Sequence, residues 1–324
     1  MITRRTALAL APTLPLAFGR STGAKAYPDR VVRLVVPFTP GGATDVTARL
    51  FATELTGLLK QSVMVDNKPG AAGAIGIDLV AKAAADGYTL GVGGVGPLAL
   101  LPTIDARLPY DPARDLDIVA GLSKVDFILV ARPGFAAATV AELIAKAKAE
   151  PGRITYSSAG VAGPQQLMIE HLAMLAGIKL FHVPFPGDSQ AVAAVANGDV
   201  DIALAGAASA LGLVKAGKLR ALAAGNGRLP GLPDLPTVAE QTGFTDFMGY
   251  TWNVLVAPRG TPPAAVARLN EAANDLGRKP EMAEKLEAIG LRPMPGSARE
   301  IADQVARDAR QYRRIIELTG LRRE

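Results

Sequence analysis

The stretch from Val31 to Arg49 constrains this chain more than any other, because it contains a strand, a glycine break and a helix start within nineteen residues. Val31 to Pro37 is an apolar, β-branched run of strand length. Thr39-Pro40-Gly41-Gly42 interrupts it. From Val46 the spacing turns helical, with Leu50, Phe51, Leu55, Leu58 and Leu59 on one face. A buried strand followed at once by a helix is the opening of an α/β fold with a mostly parallel sheet. A glycine loop at a helix start also presents free backbone N–H groups and the positive end of the helix dipole, which suits an anion. Asp45, in the same turn, either complements that dipole or braces the Gly41-Gly42 loop so that its amides face outward.

The strand-helix rhythm continues. Val63–Asp66 reads as a strand, Ala71–Gly76 leads into a helix through about Ala85, and Tyr88–Val92 is the next strand. Residues 97–120 read as loop-rich, with prolines at 97, 102, 109 and 112. Two similar units then follow, Ile128–Lys148 and Val254–Asn274, each a strand, a Pro/Arg/Gly turn and a helix. They are expected to carry the chain from one lobe to another and back, with a hinge near Leu129–Val130 and Leu255–Val256. The expected division is residues 27–127 plus 256–324 for lobe one and 128–255 for lobe two, with a ligand in the cleft between them. Lobe two repeats the glycine theme: strand Ile154–Ser157, loop Ser158–Gly163 and a helix from Pro164.

Residues 1–26 read as a cleavable signal peptide. Arg4 and Arg5 precede the short apolar stretch Ala7–Gly19, and Ala24-Lys25-Ala26 offers the cleavage site. The Arg4-Arg5 pair also fits a twin-arginine signal. The whole chain has 35 Lys+Arg against 30 Asp+Glu, formally +5. Four of those bases and no acid lie in residues 1–26, which leaves 31 against 30, or +1. That near-neutral balance, without basic clusters interleaved with aromatics, gives no reason to expect a nucleic-acid partner. The absence of cysteine excludes disulfides, iron–sulfur clusters and thiol nucleophiles. No metal or cofactor is expected.

Catalytic patterns are sparse. Gly91–Gly96 fits G-x-G-x-x-G, but on the third strand and directly before Pro97, so a ligand-facing loop is the better reading than a dinucleotide site. Only His171 and His182 are available as imidazoles. His171 is expected on a helix surface and His182 in a core or edge role. Ser158, His182 and Asp188 are the residues from which a Ser-His-Asp set would have to assemble, with no local signature for one.

The motifs YPDRVVRLVVPFTPGGATDVTAR, VDNKPGAAGAIG, ADGYTLGVGG, ITYSSAG, HVPF, AGKLRALAAG, LPDLPTVAEQTGF and VLVAPRGTPPAAVARLN occur in this order. In them the chain resembles the periplasmic solute receptors of tripartite tricarboxylate transporters, often called the Bug family. The resemblance implies an α/β, two-lobed periplasmic binding protein of the type II, Venus-flytrap kind with two hinge strands. It implies a monomeric, non-enzymatic protein that closes on a small carboxylate and hands it to membrane permease subunits. By that resemblance, backbone amides around Phe38, Gly42, Ala43 and Thr44 take one carboxylate, Ala74 and Gly94 border it, and Ser158 and Ala159 meet it from lobe two.

Three segments of lobe two depart from the family pattern: Val161-Ala162-Gly163-Pro164 after SSAG, Phe185-Pro186-Gly187 after H-V-P, and Leu204-Ala205-Gly206 where Phe-Asp-Asn is usual. They remove hydroxyls, a cation and an acid. Phe185, Val161 and Ala162 are expected to line an apolar surface, with Gln166 as one neutral hydrogen-bonding group and Ala205 in place of the acid. Asp188 and Asp201 are the acids able to turn inward instead. The ligand expected is a carboxylate with an apolar or aromatic body, in preference to an amino acid or citrate. The alternatives are a sensory receptor with the same binding lobes and a periplasmic hydrolase on the same scaffold.

Overall fold

A computed structural model describes residues 27–161 and 163–320. The expected signal peptide and Ala162 lie outside the described residues. The chain begins with β1 (Val32–Val36), α1 (Ala43–Leu59), β2 (Val63–Asn67), α2 (Ala74–Ala81), β3 (Thr89–Gly94), α3 (Leu101–Ile104) and α4 (Pro112–Asp115). The middle comprises β4 (Leu116–Ala131), α5 (Val140–Ala149), β5 (Thr155–Ser158), α6 (Pro164–Ala176), β6 (Phe181–Pro184), α7 (Asp188–Asn197), β7 (Ile202–Gly206), α8 (Ala207–Lys215) and β8 (Arg220–Ala224). The remainder is α9 (Val238–Thr242), β9 (Tyr250–Pro258), α10 (Pro263–Gly277), α11 (Pro280–Glu287), β10 (Leu291–Pro293) and α12 (Ala298–Thr319).

The opening unit folds as its pattern dictates. Leu34, Val35 and Val36 of β1 are buried, and α1 packs Ala48, Phe51, Ala52, Leu55 and Leu59 into the core. The helix begins at Ala43, three residues before the expected Val46. Gly42 is therefore the cap and Asp45 lies inside the first turn.

The strands form two sheets that share β4. In the first, β2, β1 and β3 are parallel, and β9 runs antiparallel between β3 and β4. In the second, β5 and β6 and then β5 and β7 are parallel, while β7 and β8 pair antiparallel with the end of β4. β4 spans 16 residues. It pairs with β9 through Asp126 and with β7 from Phe127 onward, so it changes sheets between these two residues.

β9 pairs with the first sheet along its whole length from Tyr250. By pairing, the return crossing thus precedes Tyr250, upstream of the 255–256 boundary expected from sequence. There Phe127 donates its N–H to Gly249 O, and its own carbonyl accepts from Gly225 N. Gly225 and Gly249 lie backbone to backbone, and a Cβ on Gly225 would stand 2.1 Å from Gly249 O. Only glycine permits that approach.

Two further expectations are corrected. Residues 97–120 are not mainly loop: a π turn at Gly96–Leu100 precedes α3 and α4, and β4 already starts at Leu116. His171 is not on a helix surface. It is 5% exposed, its ring is stacked on Phe247 at 6.3 Å, and burial pushes its pKa down.

Candidate functional site

The register locates the site. β3 and β4 both run antiparallel to β9, so they are parallel to each other, and Gly94 and Ser123 share the partner Asn253. The C-terminal ends of β1, β2 and β3 therefore point toward the sheet change at Asp126–Phe127. β7 runs the other way along β4 and ends with Gly206 opposite Phe127. The C-terminal ends of β5, β6 and β7 point toward the same place from the other side. In open α/β sheets, ligands bind at such strand ends. Here two strand-end edges converge on one crossing.

The first edge is one connected cluster. Gly42 caps α1 with extended backbone (φ −78°, ψ 166°) and no side chain to occupy the first-turn amides. The N–H groups of Ala43, Thr44 and Asp45 have no acceptor within the helix. The buried Asp45 carboxylate accepts from Gly41 N at 2.9 Å, Asn67 Nδ2 at 2.8 Å and Arg49 Nε at 3.0 Å. Burial alone would raise its pKa, but these bonds outweigh burial and hold it below the usual carboxylate range. Asp45 thus braces the loop with both of its oxygens engaged. Asn67 Nδ2 also donates to Phe38 O at 3.0 Å, and the Phe38 ring packs over Gly73, which caps α2 at Ala74. Ala71 and Ala72, just before, are held at φ 49° and 55°. Left-handed backbone costs such residues roughly 1–2 kcal/mol each, a strain of the kind that gathers at binding sites.

A buried polar chain ties this edge to β9. Thr44 Oγ1 donates to Asn253 Oδ1 at 2.8 Å, Asn253 Nδ2 donates to Ser123 Oγ at 3.0 Å, and Ser123 meets Thr47 Oγ1 at 2.9 Å. Gly94 lies against Trp252 O and Asn253. Phe38, Gly42, Ala43, Thr44, Asp45, Ala74 and Gly94 therefore stand together. Asn67 and Asn253 were not singled out from sequence. The available signal for Asn253 was one amide in the apolar strand Trp252–Ala257.

The second edge is built differently. Ser158 is buried, and its Oγ donates to Gly160 O at 2.7 Å and meets His182 Nε2 at 2.7 Å. Which of the two donates depends on the His182 tautomer, and burial lowers the His182 pKa. A serine nucleophile offers its proton to the imidazole, whereas here Gly160 O competes for it. The third member of the triad is missing too, because Asp188 bonds to Gln165, Gly206 and Ser209 and not to His182.

Gly163 caps α6 with nearly the backbone of Gly42 (φ −85°, ψ 168°), but Pro164 follows and has no N–H. Phe185 is half-buried and donates its N–H to Ser158 O at 2.9 Å, while Val161 is exposed beside Ala159. Gln166 is buried and hydrogen-bonded to the Tyr156 hydroxyl. Two residues lie elsewhere than expected. Ala205 is fully buried beneath the sheet among Ile128, Val130 and Val192, because its β7 position alternates into the core. Asp201 sits at the opposite end of β7, bonded to Arg132 Nε at 2.9 Å and Thr155 N at 3.0 Å. Of the two acids, only Asp188 reaches the edge.

The model for the tripartite tricarboxylate transporter family receptor matches residues 47–321. Protein BugT of Bordetella pertussis is 32% identical over 299 residues, 92% of this chain and 91% of that protein. A protein from R. palustris solved with adipate has a TM-score of 0.82 and 31% identity, covering 91% of this chain and 99% of its own. MatC from Rhodopseudomonas palustris with bound malate has a TM-score of 0.76 and 29% identity, covering 90% of this chain and all of its own. Periplasmic binding protein BugD shares the same mixed α/β fold, with a TM-score of 0.78. From the extent of the family match and the identity with BugT, the chain belongs to the tripartite tricarboxylate transporter receptor family.

Proposed function

We propose that this protein is an extracytoplasmic receptor that binds a small carboxylate between the two strand-end edges and delivers it to a tripartite tricarboxylate-type permease. The observation that carries the reading is the start of α1. Its first-turn amides have no acceptor in the helix, Gly42 leaves them uncovered, and the Asp45–Asn67 brace fixes them at the edge. Such a helix end favours an anion through both its N–H groups and its dipole. The adipate and malate held by two structural neighbours support the carboxylate class.

In this reading Phe38, Gly42, Ala43 and Thr44 receive the carboxylate, Ala74 and Gly94 border it, and Ser158, Ala159, Gly163, Gln166 and Phe185 close on the rest of the ligand. The two sheets are the cores of two lobes that hinge where β4 changes partners and where the chain returns before Tyr250. The protein binds and releases without catalysis, a reading supported by the Ser158–His182 pair having no bond to Asp188. Export by the N-terminal segment puts it in the periplasm as a monomer. Among the described residues, no helix is long and apolar enough to cross a membrane.

A thermal-shift panel of carboxylates tests the reading. A ligand at a hundred times its Kd should add about 2.7 kcal/mol to stability. A panel without a stabilising carboxylate would refute it. Small-angle scattering should show a smaller radius at saturating ligand, and an unchanged radius would refute closure.

A further inference from the structure

We infer that Asp188 makes this receptor selective for ligands with a single carboxylate, by filling the second edge with an anion of the protein's own; the inference rests on the carboxylate reading above. Asp188 is the first residue of α7 and lies where the chain leaves β6. Its Oδ1 accepts from Gln165 Nε2 at 3.1 Å, at the start of α6, and from Gly206 N at 3.5 Å. Its Oδ2 accepts from Ser209 Oγ in the first turn of α8. One carboxylate therefore joins the starts of three helices at the ends of β5, β6 and β7. Helix starts of this kind would otherwise favour a ligand's negative charge.

Among the described residues, no cation pairs with Asp188. Burial pushes its pKa up from the ordinary value of 3.8. Its charge is thus offset only by neutral donors.

The hydroxyls of this edge are engaged as well. Ser158 gives its proton to Gly160 O, Ser209 is bound to Asp188 and Gly206 O, and Pro164 removes one of the helix-start amides of α6. A second ligand carboxylate arriving here would meet a fixed like charge and fewer open donors than at the first edge. The first edge differs, with its acid turned back onto Gly41 and Asn67 and its first-turn amides open. An uncharged body, or one ending in an ammonium group, is compatible with the second edge. The inference separates this chain from its neighbours holding adipate and malate, both dicarboxylates.

Calorimetry on the purified chain with acids of matched carbon number tests it, using butanoate against succinate and hexanoate against adipate. The monoacid should bind tighter in each pair by on the order of ten- to a hundredfold, the scale of like charges set together in a partly dry site. In Asp188→Asn the ratio should shrink toward one, through a gain of the diacid relative to its monoacid. A diacid that binds the unaltered chain as tightly as its monoacid overturns the inference. So does a folded Asp188→Asn variant, by circular dichroism, with an unchanged ratio. If that variant does not fold, the ratio in the unaltered chain decides alone. If no member of either pair binds, this inference fails; if the thermal-shift panel as a whole yields no carboxylate, the reading beneath it fails too.

Discussion

Asp45 and Asp188 occupy similar places in the two halves of the site, each in the first turn of a helix that follows a parallel strand, yet their surroundings are opposite. Asp45 is met by a guanidinium, an amide side chain and a backbone N–H, and its pKa falls. Asp188 is met by a hydroxyl, an amide and a long backbone bond, and its pKa rises. The first acid is a brace that leaves neighbouring amides open to a guest. The second occupies the place a guest's anion would take. A glycine loop before a helix therefore does not by itself make an anion site. What matters is which group has already claimed the helix start.

Stability should separate the two acids most strongly. Asp45→Ala strips buried partners from Gly41 N and Asn67 and should cost about 3 kcal/mol in denaturant unfolding. Asp188→Asn removes a half-buried charge without a cation and should change stability by less than about 1 kcal/mol, or raise it. Equal losses would erase the contrast.

Binding comes next. Gly42 and Gly163 cap their helices with nearly the same backbone, and a Cβ at either meets nothing closer than 3.7 Å. The turn does not require glycine at Gly42, so Gly42→Val should fold normally while covering the open amides. Carboxylate affinity should fall at least about tenfold, or 1.4 kcal/mol. Gly163→Val should cost clearly less, because Pro164 already lacks a donor. A larger loss at Gly163 would shift the carboxylate grip to the second edge.

Asn253→Leu should destabilise the chain by about 1–2 kcal/mol by leaving Thr44 and Ser123 without their partner. Affinity should fall with it only if β9 holds the start of α1 in position.

Acidification gives the smallest effect, with opposite signs. Asp45 has a folded pKa below its ordinary 3.8, so its contribution is full above 3.8 and is lost as pH falls through the folded value. Asp188 has a raised folded pKa, so its penalty is present above that value and is relieved as pH falls through it toward 3.8. Any advantage of Asp188→Asn should therefore vanish on mild acidification, in a range where the Asp45→Ala deficit persists. Urea melts across pH would show the two trends running together if the contrast is false.

Sequence carried much of the first edge because its parts are local. The β1–α1 unit, the glycine loop and the Asp45–Gly41 contact are close in sequence, and period and turn chemistry are local signals. Asn253 escaped because its partner Thr44 is 209 residues away. Sequence makes β4 too short because the part before Phe127 carries Asp117, Ser123, Lys124 and Asp126, which break an apolar run. His171 was misplaced because Leu167 and Leu175 mark its helical face, but only the fold puts Phe247 over its ring. The family pattern makes Ala205 a pocket position. Strand alternation turns it into the core, an outcome that rests on register rather than on residue type.

The placement of β9 also fixes an order of events during synthesis. In the first sheet β9 lies between β3 and β4, so neither of those edges is covered until the chain has been made past Pro258. The second sheet draws on β4 through β8, a continuous stretch that is complete by Ala224. Contacts close in sequence form before those that must close long loops. The later-made half of the proposed site is thus the first able to fold, and the carboxylate grip proposed for α1 waits for a strand that begins only at Tyr250, long after that helix is made.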